Sequence, residues 1–342
     1  MTAQSESCFK SCQELLQAAE QRKILIHGAV SVSHAGKEIF RTATHGNPEA
    51  LYDIASLTKV VSGLTLFLIG EDKGLWEEES RVGDFLQGAG KGTRDLRLRE
   101  LLAHESGLAA WRDYYNFKAR DGIFSSVLEE DTAEKKPLYS DLGYILLTKV
   151  METATGKRVD RLWEEWGARE GWDGLRYSES LDRFSGEGEI IPTENTFHRR
   201  GFLVGVVNDD NCFRMDSTSL HAGLFGNLGS VRNWFWALWG GAIVPRPLVL
   251  KTIARENGEF YSGWIKKSEN SPNAGSRLSN ASFGMLGFTG CSFFYDPERD
   301  LLAVFLASRV NPTHDFTEIR RLRKSVYDAV VEGFDELTLA AN

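Results

Sequence analysis

The sequence predicts one unit of mixed α/β (α+β) class. An antiparallel sheet is assembled from both ends of the chain and flanked by helices, with a helical lobe inserted between its halves. Three observations carry this. Two β-forming runs near the N-terminus, 24–33 and 38–44, are separated by the turn His34-Ala35-Gly36-Lys37 and read as a hairpin. A second pair, 288–295 and 301–308, flanks Asp296-Pro297-Glu298-Arg299-Asp300, a turn with proline early in it. Between the pairs the patterns are helical, with no repeats, low-complexity tracts or linkers. On this reading 1–50 and 283–342 form the sheet lobe of a single unit spanning 1–342, and 51–282 form a mainly helical lobe.

Composition narrows the function. At 342 residues with 42% hydrophobic content and nine Trp, the chain can bury a large core. Its net charge of −8, with both signs interspersed, argues against nucleic acid and anionic membrane surfaces as main partners. No apolar run reaches the length of about 18 residues that a membrane span needs. The polar stretch 1–23 has no signal-peptide core, which predicts a cytoplasmic chain, or a periplasmic one if a leader has been removed. Cys8, Cys12, Cys212 and Cys291 have no metal-like cluster of histidines around them and are expected as free thiols.

Taken in order, 7–22 is expected as a helix with Leu15, Leu16 and Ala19 on one side, followed by the first hairpin. Helices are expected at 56–73, 97–103, 141–155, 159–166 and 230–240, a polar loop at 267–282, and a last amphipathic helix at about 317–337.

Chemistry concentrates in three places. Tyr52 to Gly63 contains Ser56 and Lys59 in the spacing Ser-x-x-Lys, followed by the uncharged run Val60 to Gly70. Three residues apart on a helix, the Ser56 hydroxyl and the Lys59 amine share a face. A serine becomes a nucleophile only when a neighbour takes its proton, and a lysine takes it only if burial pushes it toward the neutral amine. The pattern arises about once by chance in a chain this long, and Ser7-Cys8-Phe9-Lys10 also fits it. Ser56 reads equally as a helix N-cap. Tyr139-Ser140-Asp141 precedes a helix and presents either a phenol to a cleft or an ordinary cap. Gly284-Met285-Leu286-Gly287-Phe288-Thr289-Gly290 brings three glycines to a strand, where backbone lies close to something. Such an edge can lend an N–H to an oxyanion, with the Ser56 N–H as the second donor. A bulged strand with no ligand is the alternative.

Together these clusters resemble the serine β-lactamases and penicillin-binding proteins, in the branch of AmpC-like enzymes, D-Ala-D-Ala carboxypeptidases, D-amino acid peptidases and esterases. The likeness covers about 20–330 and also rests on Leu101-Leu102-Ala103-His104-Glu105-Ser106-Gly107-Leu108, Pro192-Thr193-Glu194, His221-Ala222-Gly223-Leu224-Phe225 and Phe288-Thr289-Gly290. It implies the fold of that family and a serine hydrolase that forms an acyl-enzyme on an amide or ester of a small molecule or peptide, with no metal or other cofactor. Ser56 would be the nucleophile and Lys59 would share its proton. Tyr139 would be the other half of the base, its pKa lowered by Lys59, and Asp141 would bond near Lys59. The Ser56 and Phe288 N–H groups would form the oxyanion hole, and Met285, Leu286, Gly287 and Thr289 would meet the substrate. At the third motif the family usually carries Lys-Thr-Gly or His-Thr-Gly, whereas this chain has Met285-Leu286-Gly287. His104, Glu105 and His221 do not obviously replace the missing cation, and His221 is expected to be structural. That departure places a peptidase or esterase ahead of an efficient β-lactamase. A catalytically weak sensor or scaffold is the alternative from another class.

Overall fold

The computed structural model describes residues 3–116, 119–167, 169, 171–178, 189–196, 201–255, 258, 260–268, 273–310 and 315–340. Its main sheet has six strands: β1 (His27–His34), β2 (Lys37–Ala43), β3 (Ile265–Lys266), β4 (Phe283–Leu286), β5 (Gly290–Asp296) and β6 (Leu301–Ser308). Their order is β2-β1-β6-β5-β4-β3, and every neighbouring pair is antiparallel. The two ends of the chain meet at the centre of this sheet, with His27 opposite Ser308 and His34 opposite Leu301.

β5 and β6 are buried at every position because both faces of the sheet are covered. Successive side chains of a strand point to opposite faces. Phe294 therefore meets Tyr327 at 5.2 Å on one side, and Phe293 meets Trp234 at 5.7 Å on the other. Helices α1 (Lys10–Gln21) and α5 (Thr317–Leu339) cover the first face, packing Leu16, Val326 and Val330 against Val30, Val32 and Phe305. Helix α4 (Leu228–Trp239) covers the second. Each of these buried aliphatic and aromatic side chains contributes about 1.5–3 kcal/mol relative to exposure, so the two apolar layers fix where the sheet sits.

The stretch 51–282, expected as a mainly helical lobe, includes α2 (Thr65–Asp72) and α3 (Asp141–Thr155), but it also supplies the edge strand β3 to the main sheet. The helix expected from Ser56 to Lys73 exists but is not uniform. It opens as a 3₁₀ turn at Ala55–Leu57, widens to a π-helix at Lys59–Leu64 and becomes α-helical only from Thr65. Such widened turns concentrate at functional sites. Helices at Arg120–Leu128 and Arg246–Ala254 were not foreseen, because neither has a strong apolar stripe. In the polar loop expected at 267–282, residues 269–272 lie outside the described residues. All four cysteines are free thiols. No helix among the described residues is long and apolar enough to cross a membrane.

Candidate active site

The segment before Ser56 is shaped by a buried carboxylate. Asp53 Oδ1 accepts the Ala55 N–H at 2.8 Å and Oδ2 accepts the Asn208 N–H at 2.6 Å. Ala55 sits at φ +48°, a left-handed conformation that costs an alanine roughly 1–2 kcal/mol. The chain turns sharply there and leaves Ser56 on a cavity of about 660 Å³. Ser56 is not a side-chain cap: the residue that begins the turn is Ile54, and no side-chain bond caps it.

Lys59 is fully buried and directs its ammonium at three acceptors. It donates to Ser56 Oγ at 3.0 Å and to the His221 carbonyl at 3.0 Å, and it pairs with Asp141 Oδ1 at 2.6 Å. The Tyr139 ring lies 4.9 Å from the same nitrogen. Burial alone would lower the Lys59 pKa, but the Asp141 carboxylate and Tyr139 outweigh it and raise it above the ordinary lysine value. At rest Lys59 is therefore a cation and a donor to Ser56, not the neutral amine that the sequence argument required. Tyr139 also departs from expectation. Burial raises its pKa above that of a free tyrosine, and the opposing pull of Lys59 does not cancel the rise. Its hydroxyl oxygen is buried without a hydrogen bond of full geometry.

Tyr139 and Asp141 are brought here by the start of α3. Ser140 is the N-cap, its Oγ accepting the Gly143 N–H at 3.3 Å and donating to the Ala109 carbonyl at 2.7 Å. His104, buried at φ +57°, accepts the Ser140 N–H on Nδ1 at 3.0 Å, and its ring lies 4.5 Å from Tyr139. Burial and the charge of Lys59 lower the His104 pKa to about 3, so its imidazole is neutral and acts as a brace. His221 is buried as well, with Nδ1 at 2.8 Å from Ser219 Oγ and Nε2 at 3.0 Å from Asp209 Oδ1. Burial pushes Asp209 up, but His221 and the Cys212 N–H hold it below the usual carboxylate range.

Strand β4 and the turn after it form the facing wall. Leu286, Gly287 and Phe288 line the cavity. Met285 and Thr289, expected at the substrate, lie elsewhere. Met285 is wholly buried opposite Phe293, because strand alternation sends it into the core when Leu286 faces outward. Thr289 is wholly buried and donates to the Asp53 carbonyl at 2.8 Å, tying this wall to the segment before Ser56. A Cβ on Gly287 would come within 2.8 Å of the Ile54 carbonyl, so only glycine allows this approach.

Trp111, Arg320 and Arg323 also line the cavity although none belongs to a sequence motif, and Glu194 of Pro192-Thr193-Glu194 lines it with them. Arg323 left a signal. It falls on the stripe Ile319, Leu322, Val326, Tyr327 and Val330, a lone charge on the buried face of α5. Trp111 lies in a loop with no such periodicity.

A Ser-x-x-Lys pair with its serine on a cavity and its lysine buried behind it, a tyrosine over the lysine and a strand edge opposite define a serine hydrolase of acyl-enzyme type. The sequence matches the family described as Beta-lactamase over residues 14–328, and the chain belongs to that family. Among curated relatives, it is 27% identical over 302 residues to the "Putative D-alanyl-D-alanine carboxypeptidase" of Escherichia coli K12, covering 76% of this chain and 69% of that one. It is 25% identical over 331 residues to the N-acetylmuramyl-L-alanine amidase of Bacillus subtilis, covering 82% and 72%. Among solved structures, EstCE1, a hydrolase with promiscuous acyltransferase activity, superposes with a TM-score of 0.72 at 18% identity, covering 95% of this chain and 100% of that one. A penicillin-binding protein homologue from Pyrococcus abyssi gives 0.68 at 13% identity, covering 92% and 76%.

Proposed function

We propose that Ser56 is the acylated nucleophile, that Lys59 and Tyr139 together move its proton, and that Asp141 holds Lys59 charged and in place. The Ser56 and Phe288 N–H groups receive the developing oxyanion. The observation that supports this most is the Lys59 ammonium, wholly buried yet aimed at Ser56 Oγ from 3.0 Å. A buried lysine is costly unless its partners repay it, and here they are the groups the reaction uses.

Removal of the Ser56 proton requires one proton fewer on this set than the resting state holds. Lys59 and Tyr139 are both raised above their ordinary values, near 10. For a neutral ester, kcat/KM is expected to climb about tenfold per pH unit from pH 6 to pH 9 without levelling off. A plateau beginning near pH 7 would mean the proton leaves by another route. The sign for stability is separate: a raised Lys59 contributes fully below the unfolded lysine pKa and is lost only as pH rises through its folded value. The ion pair therefore stabilises the fold throughout this range.

The preferred substrate is an uncharged ester or amide. Leu286 presents an alkyl group on the cavity wall, at the position where the family resemblance implies a hydroxyl. Trp111, 44% exposed, and Phe288, 37% exposed, add apolar surface around the same cavity. A lost charge-assisted hydrogen bond costs about 1.5–3 kcal/mol, a factor of roughly ten to more than a hundred. Benzylpenicillin is therefore expected to turn over at least about tenfold more slowly, in kcat/KM, than a short p-nitrophenyl ester. Leu286→Thr should raise penicillin acylation more than ester hydrolysis.

A second reading, a carboxypeptidase or β-lactamase, is favoured by Arg320, whose exposed side chain lines the cavity from the first turn of α5. That guanidinium would meet a substrate carboxylate. Benzylpenicillin turnover that matches ester turnover, and collapses in Arg320→Ala, selects it.

A further inference from the structure

We propose that Arg323 is a positioning residue for the oxyanion hole, holding the Gly287 carbonyl so that the Phe288 N–H of the same peptide unit is turned into the cavity shared with Ser56. The inference rests on the reading above, in which Phe288 is an oxyanion donor.

Arg323 is buried on α5 and spends its guanidinium on one turn of backbone. Nη2 donates to the Gly287 carbonyl at 2.6 Å and to the Cys291 carbonyl at 2.9 Å, and Nε donates to the Gly290 carbonyl at 3.1 Å. The turn is otherwise closed by the Gly290 N–H on the Gly287 carbonyl at 3.2 Å and by the Gly287 N–H on the Cys291 carbonyl at 2.7 Å. A four-residue turn of this kind leaves the N–H of its second residue, Phe288, outside its own bonding. In a planar trans peptide the C=O and the following N–H point in opposite directions. Fixing the Gly287 carbonyl from the helix side therefore fixes the Phe288 N–H on the other side. The next peptide plane is held in the same way, since Arg309 Nε donates to the Phe288 carbonyl at 2.8 Å.

These three bonds also stabilise the fold, because a buried carbonyl that loses its donor is left with the full cost of its desolvation, so a positioning role is read from rate and transition-state-analogue affinity rather than from folding. Burial lowers the Arg323 pKa to about 10, which leaves it protonated at neutral pH. An oxyanion donor must be aimed before the reaction begins, because a preorganised dipole costs nothing when charge develops. A charged fork with three anchored bonds supplies that rigidity.

The test compares Arg323→Lys and Arg323→Gln in the full chain, with a p-nitrophenyl ester and with phenylboronic acid. The boronic acid bonds the Ser56 oxygen to boron while the serine proton leaves through the Lys59–Tyr139 pair, giving a tetrahedral anion that mimics the acylation transition state. In both variants kcat is expected to fall about 10–100-fold with KM within about twofold, and boronate affinity should fall by a similar factor. In the unaltered protein the Phe288 amide proton is expected to move downfield on boronate addition, and to move less in Arg323→Lys. Ester kcat within about threefold of the unaltered protein in either folded variant overturns the proposal. So does a loss confined to KM. If neither variant folds, the unaltered protein decides, and a Phe288 amide that does not respond to the boronate overturns the proposal. Failure of the unaltered Ser56 to react with any serine-directed reagent would instead remove the acyl-enzyme reading itself.

Discussion

Ser56→Ala is expected to reduce ester hydrolysis to the background rate while leaving the fold intact. The side chain accepts a hydrogen bond from Lys59, and without it Lys59 keeps the His221 carbonyl and Asp141. Removing the hydroxyl therefore costs little stability, on the order of 1 kcal/mol or less. Catalysis is affected differently, because without the hydroxyl no acyl-enzyme forms. What remains is whatever the cavity and the oxyanion donors do for a water molecule, at most a residual 10³–10⁴ over the uncatalysed reaction in comparable hydrolases. Activity above a tenth of the unaltered protein, with thermal unfolding unchanged, would exclude Ser56 as the nucleophile.

Tyr139→Phe is expected to lower kcat/KM by roughly 10²–10⁴, the scale of a general base. The same change should hardly alter stability. The hydroxyl oxygen is buried without a hydrogen bond of full geometry, so its removal frees a polar group that gains little from the fold. The ring, which carries the contacts with His104 and Lys59, is kept. The combination of a large kinetic loss and an unchanged melting temperature distinguishes a chemical role from a packing role. Full activity in the Phe variant would leave Lys59 to move the proton with Asp141.

Much of this arrangement was legible in the sequence, for physical reasons. Strand pairs with opposed turns at the two ends of the chain leave a compact sheet few ways to close, and the central pairing of β1 with β6 is one of them. Ser56 and Lys59 are close in sequence on one helical face, so their contact follows from local geometry. Asp141 and Tyr139 converge on Lys59 because the cap at Ser140 fixes the start of α3.

What the sequence did not reveal depends on contacts between distant segments or on a balance of opposed effects. The protonation of Lys59 is of the second kind. Burial and a carboxylate at 2.6 Å pull its pKa in opposite directions, and the pattern Ser-x-x-Lys shows neither. Met285 and Leu286 are neighbours with opposite fates, and only the register of β4 against β5 determines which one enters the core. Asp53 reads as an ordinary polar residue at the end of a short strand, yet it ties Ala55, Asn208 and Thr289 together. Arg323 acts on a turn 36 residues away in the chain, a contact that its own helical stripe does not announce.

The central claim is that the hydroxyl of Ser56 attacks and is acylated. Incubating the unaltered protein with a small fluorophosphonate, weighing it intact and mapping the modified peptide tests this most directly. The account predicts one phosphonyl group, on Ser56, with labelling that accelerates as pH rises. An unlabelled protein, or a label carried by Ser106 or Ser140, would contradict it.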